Sequence, residues 1–189
     1  MSTLLFPAFL RLAGRKVLLV GGGGVASSKL RGLLDAGASV TVVAPTVTPD
    51  IERAGVPIAR RAFEPEDLDA VWFIVAAATA GVNRQVAAAA DARQIFVNAV
   101  DDPPNATAYL GGVVRRGGVT FAISTEGRAP ALSGLLREGL EALLPETELE
   151  RWMGQAEALR PAWRTEGVPM ERRRPQLLDA LNRRYDRDG

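Results

Sequence analysis

Four consecutive glycines, Gly21 to Gly24, follow the apolar run Val17-Leu18-Leu19-Val20 and precede a helical pattern that begins near Val25. A strand, a tight turn and a helix N-terminus in that order build an anion site. The first N–H groups of a helix have no partner within it, and glycine lets a phosphate approach the main chain. The spacing reads Gly21-x-Gly23-x-x-Ala26, the dinucleotide fingerprint with alanine in the third place. The bland alternative is a glycine-rich loop in an α/β protein that binds no nucleotide.

The rest of the chain suits such a start. Lys16–Val20 reads as a strand buried on both faces. A helix follows with Ala26, Leu30, Leu33 and Leu34 at helical spacing and ends at Gly37. Further strands are expected at Ser39–Ala44, Pro57–Arg61, Ala70–Ala77 and Ile95–Val100. A helix is expected over Gly81–Arg93 with Val82 and Val86 inward. Strands alternating with helices imply a parallel sheet with right-handed crossovers. After Pro103-Pro104 the pattern changes. Ala108–Val114 and Val119–Ser124 read as a hairpin. A helix over Ala129–Leu144 follows, with Leu132, Leu135, Leu136, Leu140, Leu143 and Leu144 in a wide apolar stripe. Two helices broken near Gly167-Val168-Pro169 complete the chain. The expected class is α/β: a Rossmann-like domain over 1–106, a small α+β dimerisation region over 107–145 and a helical region over 146–189. The leucine stripe suits either a homodimer interface or a face buried within its own subunit.

Composition removes several chemistries. The chain has no cysteine, which excludes disulfides, Fe–S clusters and thiol catalysis, and no histidine, the commonest general base and metal ligand. Acid–base work falls to Asp, Glu, Lys, Tyr or the substrate. The net charge of +1 does not suggest a nucleic-acid partner. Leu4–Leu10 is too short for a signal sequence and contains Pro7, and no apolar run approaches the roughly 20 residues of a membrane span. A soluble cytoplasmic protein is expected.

Cofactor contacts are expected at Gly21, Gly23, Gly24 and Val25. The acid that usually binds the adenosine ribose is absent: Val43-Ala44-Pro45-Thr46 stands there, leaving Thr46 or backbone groups to do so. No basic residue lies adjacent in the chain, which favours NAD over NADP. The small residues Ala76-Ala77-Ala78-Thr79 leave room for a cofactor, or serve helix–sheet packing. Asn98-Ala99-Val100-Asp101-Asp102 follows the last strand, where Asp101 is the leading candidate base and turn chemistry is the alternative. Ser124-Thr125-Glu126-Gly127-Arg128-Ala129-Pro130 reads either as an ordinary helix start or as an anion-binding loop of Thr125, Arg128 and free N–H groups.

These segments together resemble the precorrin-2 dehydrogenase family, the NAD-dependent module that also forms the N-terminal part of siroheme synthase. The resemblance covers roughly residues 5 to 145. It rests on Phe6–Leu10, Gly14–Ala26 with Lys29, Val40–Pro45, Ala76–Thr79, Val82-Asn83, Phe96–Asp101 and Ser124–Pro130 with Leu135–Glu138. It implies oxidation of precorrin-2 to sirohydrochlorin with NAD⁺ taking the hydride, and Asp101 as acid–base. In some members Fe²⁺ is also inserted, with the same aspartate implicated, so Asp101 is a transient metal contact if this chain is a chelatase for Fe²⁺ or Co²⁺. Pro45 and Thr46, like Gly24 and Val25, match cofactor-contacting positions; Thr79 and Asn98 are placed with them. Ser124, Thr125, Gly127 and Arg128 match a tetrapyrrole-binding loop, in which Thr125 replaces a serine that can be phosphorylated. Arg115, Arg116, Arg128 and Arg137 are candidates to hold the eight carboxylates of precorrin-2. No room remains for a methyltransferase domain, so a stand-alone module is expected. The alternative is a non-catalytic, NAD-binding regulatory module.

Overall fold

The computed structural model describes the backbone of residues 4–188 and side chains up to residue 183. The described chain forms two compact units, divided between Leu110 and Gly111.

The first unit is a five-stranded sheet: β1 (Lys16–Val20), β2 (Ser39–Val43), β3 (Ile58–Ala59), β4 (Phe73–Ala76) and β5 (Phe96–Ala99). All neighbours pair in parallel, in the order β3-β2-β1-β4-β5. Helices α1 (Gly24–Asp35), α2 (Pro49–Arg53) and α3 (Ala80–Asp91) provide the connections. Alternate strand residues build two cores. Val17, Leu19, Val40, Val42, Phe73 and Val75 pack with Ala26, Leu30 and Leu33 of α1. Leu18, Val20, Val43, Ile74, Ala76 and Val97 pack with Val86 and Ala90 of α3. Burial on both faces is what a parallel sheet demands, and it explains the unbroken apolar runs.

Several elements differ from their expected spans. The strand expected at Ala70–Ala77 begins only at Phe73, because Ala70 has φ 60° and Val71 N–H turns back to Leu68 O. The strand expected at Pro57–Arg61 is cut to two residues where Arg61 N–H bends back to Ala59 O. Helix α2 was not anticipated, although Thr48-Pro49-Asp50 carries an N-cap residue type, a first-position proline and an acid in the first turn. On α3 the inward residues are Asn83, Val86 and Ala90; Val82 is only partly buried.

The second unit pairs β6 (Gly112–Arg116) with β7 (Val119–Ile123) in antiparallel fashion, followed by α4 (Pro130–Leu143), α5 (Glu146–Thr165) and α6 (Met170–Asp188). Gly117 and Gly118, both at positive φ, make the two-residue hairpin turn. The expected first hairpin strand, Ala108–Val114, is displaced. Thr107 and Ala108 instead donate their N–H groups to Val97 O at the edge of β5. The helix break falls at Gly167–Pro169, as expected. There Trp163 donates Nε1–H to Gln176 of α6 and the Arg173 guanidinium lies 5.9 Å from its ring. No helix among the described residues is long and apolar enough to cross a membrane.

A bidentate ion pair between the exposed Arg61 and the more sheltered Asp67 closes the β3–β4 connection. Arg61 donates to both oxygens of Asp67, at 2.8 and 2.5 Å, and Glu64 N–H donates to the same carboxylate at 2.9 Å. The Arg61 hydrogen bonds hold the Asp67 carboxyl below its ordinary range. A depressed carboxyl stabilises the fold above its unfolded pKa of about 3.9 and loses that contribution as pH falls towards the folded value. Asp67→Asn is therefore expected to cost about 1 kcal/mol at pH 7, the exposure of Arg61 limiting the loss. The difference from wild type should shrink below about pH 4 in urea unfolding; a difference independent of pH would refute it.

Candidate functional site

The chain leaves β1 for β2 and β3 on one side, then returns to the other side of β1 for β4. This reversal opens a crevice at the carboxyl ends of β1 and β4, where such sheets bind ligands. The glycine run and the Ala76–Thr79 turn meet there.

The four glycines do different jobs. Gly21 has φ 126°, and a Cβ on it would sit 2.3 Å from Ala77 O. A Cβ on Gly22 would sit 1.8 Å from Thr46 O. Gly22 O also accepts the Thr48 N–H at 2.8 Å. These two residues are glycine because the main chains after β2 and β4 press on the loop. Gly23 and Gly24 have nothing within 4 Å of a Cβ, and both are exposed. They line an open cradle at the start of α1. Helix α1 has no side-chain cap and no acid in its first turn. Helix α3, entered through the exposed Thr79, also lacks both. Two uncapped, positive helix ends facing solvent fit a dinucleotide pyrophosphate and would oppose a cation. Ala26, fully buried, fills the third fingerprint place and lets α1 pack on the sheet. Val25, Pro45 and Thr46 are exposed beside the loop.

Sequence reasoning missed two residues that shape this crevice. Gly22 occupies a position that the fingerprint leaves free. Asn83, 2% exposed, accepts the Ala78 N–H at 3.1 Å and so fixes the β4–α3 turn. The available signal was an asparagine in register with inward Val86 and Ala90.

Asn98 is buried in β5. Its Nδ2 donates to Ala108 O at 2.9 Å, while its Oδ1 is buried without a partner. It fastens the segment that returns along the sheet edge. Asp101, just beyond β5, is exposed, adopts φ 54° and makes no side-chain hydrogen bond among the described residues. Asp102 differs: both its oxygens accept from Asn105 Nδ2 at 2.9 Å. The described residues hold no cluster of three or more acids that could bind a metal.

In the second unit, the loop from Ser124 to Ala129 is internally bonded. Glu126 N–H donates to Ser124 Oγ, Arg128 N–H to Thr125 O and Ala129 N–H to Thr125 Oγ1. The expected free N–H groups are thus engaged at those three positions. Glu126 and Gly127 take positive φ, and Thr125 Oγ1 lies 3.2 Å from the buried Ser133 hydroxyl. Among the described residues Arg128 pairs with Glu126 alone, at the exposed surface, where the bond is weak enough to exchange. Arg115 makes no ion pair among the described residues. Arg137 is held by Glu141 and Glu138, and Arg116 donates to Glu141 O.

The fold and the glycine crevice define a dinucleotide-binding Rossmann module. Residues 8–112 match the family described as "Putative NAD(P)-binding". The chain belongs to this NAD(P)-binding family. It is similar to siroheme synthase 3 of Aeromonas hydrophila, 43% identical over 145 residues, covering 74% of this chain and 31% of that protein. It is also similar to siroheme synthase of Photorhabdus laumondii, 38% identical over 188 residues, covering 95% and 39%. The chain thus spans about three-tenths to two-fifths of the length of these curated relatives. Among solved structures it resembles "SirC, precorrin-2 dehydrogenase" with a TM-score of 0.71 and 29% identity, covering 93% of this chain and 88% of that one.

Two glycine substitutions separate folding from binding. Gly22→Ala should destabilise the protein by about 1–3 kcal/mol, because backbone must move. Gly23→Ala should leave the melting temperature unchanged and weaken NAD⁺ binding about tenfold or more, because the methyl occupies the cradle. Thermal melts and NAD⁺ titration calorimetry of both variants check this; equal melting temperatures would refute the division.

Proposed function

We propose that this chain is an NAD-dependent precorrin-2 dehydrogenase. The single observation that carries the reading is the open, uncapped glycine crevice at the β1/β4 reversal with an uncommitted carboxylate, Asp101, on the turn after β5. The SirC neighbour, named as a precorrin-2 dehydrogenase, and the siroheme synthase relatives supply the substrate class. Bound NAD⁺ would supply the two-electron acceptor. Gly23, Gly24 and Val25 would hold it at the start of α1, with Gly21 shaping the turn and Pro45, Thr46, Thr79 and Asn98 around it. Asp101 takes the proton that leaves precorrin-2 while a hydride departs, so two hydrogens are lost in all. A carboxylate with no hydrogen-bond partner of its own is free to do this. Ser124, Thr125, Gly127 and Arg128 would bind the substrate, with Arg115, and Arg128 once it exchanges its surface pair with Glu126, meeting its carboxylates.

Asp101→Ala should reduce precorrin-2-dependent NADH formation at least a hundredfold while NAD⁺ affinity and melting temperature stay unchanged. Optical assay and calorimetry check this, and full activity in the variant would remove Asp101 from the mechanism. Fe²⁺ or Co²⁺ added to the finished reaction tests for the metal insertion implied by the name siroheme synthase.

We also propose a homodimer built on α4. Its packed side meets β6 and β7, and Leu132, Leu135, Leu136 and Leu143 on the rest are exposed, the last two-fifths of the helix carrying the most open of them (Leu143, 78%). An apolar stripe of this width is costly in water. Leu135→Glu combined with Leu143→Glu should convert the dimer to a monomer in light scattering; a dimer that persists would place the interface elsewhere.

A further inference from the structure

The two adjacent acids after β5 are chemically alike but placed differently. Asp101 makes no side-chain hydrogen bond among the described residues, so its backbone conformation, which sets where the Cα–Cβ bond points, is what the fold can control. That backbone is in the left-handed region, φ 54°, at the third position of the turn Ala99–Asp102. Such turns favour glycine or asparagine there, and an aspartate persists only when its surroundings hold it. The closing bond of the turn, Asp102 N–H to Ala99 O, is long at 3.4 Å and gives little restraint.

The restraint comes from the next turn. Asp102 precedes the 3-10 turn Pro103–Asn105 and takes the Asn105 amide on both carboxylate oxygens. Asn105 N–H donates to Asp102 O at 3.1 Å. Pro103 and Pro104 fix their own φ, and Pro103 O accepts the Tyr109 hydroxyl at 3.1 Å. The stems are laced to the sheet: Val97 N–H donates to Thr107 Oγ1, Thr107 and Ala108 N–H to Val97 O, and Asn98 Nδ2 to Ala108 O. With both stems fixed, the Asp102–Asn105 bond is the link between two side chains that spans the loop next to Asp101.

We infer that Asn105, acting through Asp102, is a positioning residue for Asp101: it holds the residue in its left-handed conformation and so aims its carboxylate. This deepens the dehydrogenase reading and rests on Asp101 being the base. It gives Asp102 a structural task and leaves Asp101 alone for chemistry.

The test uses the full chain with precorrin-2 and NAD⁺. Asn105→Ala should lower kcat about tenfold, since small displacements of a catalytic group are costly, with KM for NAD⁺ and melting temperature unchanged. Asn105→Asp should lose more, because it sets two carboxylates face to face. The exchange Asp102→Asn with Asn105→Asp moves the amide and the carboxylate to opposite ends of the same bond and should recover most of kcat, giving a strong coupling in the double-mutant cycle. In parallel, the ¹³Cα and ¹³Cβ shifts of Asp101 should leave their left-handed values in Asn105→Ala and return in the exchanged pair. Wild-type kcat in Asn105→Ala, beside an inactive Asp101→Ala, would overturn the inference and leave the dehydrogenase reading standing. An exchanged pair no better than Asn105→Asp would overturn it too. If the wild-type protein forms no NADH, that reading fails; the Asp101 shifts then decide the positioning, and shifts unmoved by Asn105→Ala would refute it.

Discussion

The structure of the first unit depends on the close packing of main chain against two adjacent glycines. At the β1/β4 reversal, the main chain of Gly21 lies against Ala77 O and that of Gly22 against Thr46 O, at separations no side chain tolerates. The contact draws the loops after β1, β2 and β4 together over the end of the sheet. It also turns the chain so that Gly23 and Gly24 open outward at the start of α1. Sheet order alone would place a crevice here; the two packed glycines decide that its floor is bare main chain with N–H groups towards solvent.

The fold was largely legible because its signals were repeated. The strand runs of β1 and β4 are apolar enough to be buried on both faces, and the Leu30/Leu33 spacing fixed the face of α1. What escaped depends on tertiary contacts. Ala70 in the left-handed region shortens β4, and no local propensity announces it. Ala108 reads as the start of a hairpin strand, but the open edge of β5 had unpaired groups at Val97 and took it together with Thr107. An unsatisfied strand edge outweighs alternation in such a segment.

The candidate site was legible in its loops more than in its contacts. The fingerprint places Gly21, Gly23 and Ala26 but is silent on Gly22, whose constraint comes from a loop more than 20 residues away. Asn83 was hidden as a polar residue in an apolar helical register. Its burial is tolerated because Ala78 N–H occupies its carbonyl oxygen. The loop at Ser124–Ala129 was expected to offer free N–H groups, yet Ser124 and Thr125 hydroxyls capture two of them and Thr125 O a third. Short hydroxylated side chains compete for local backbone groups in this way. The loop's charged handle for an anion is the exchangeable guanidinium of Arg128.

A bound dinucleotide would place its phosphates against the main chain at the start of α1. Amide NMR of the ¹⁵N-labelled protein titrated with NAD⁺ tests this most directly. The predicted result is saturable shifts concentrated at Gly23, Gly24 and Val25, with smaller ones at Thr46 and Ala80. Binding that left the Gly23 and Gly24 amides unmoved, or no binding at all, would contradict it.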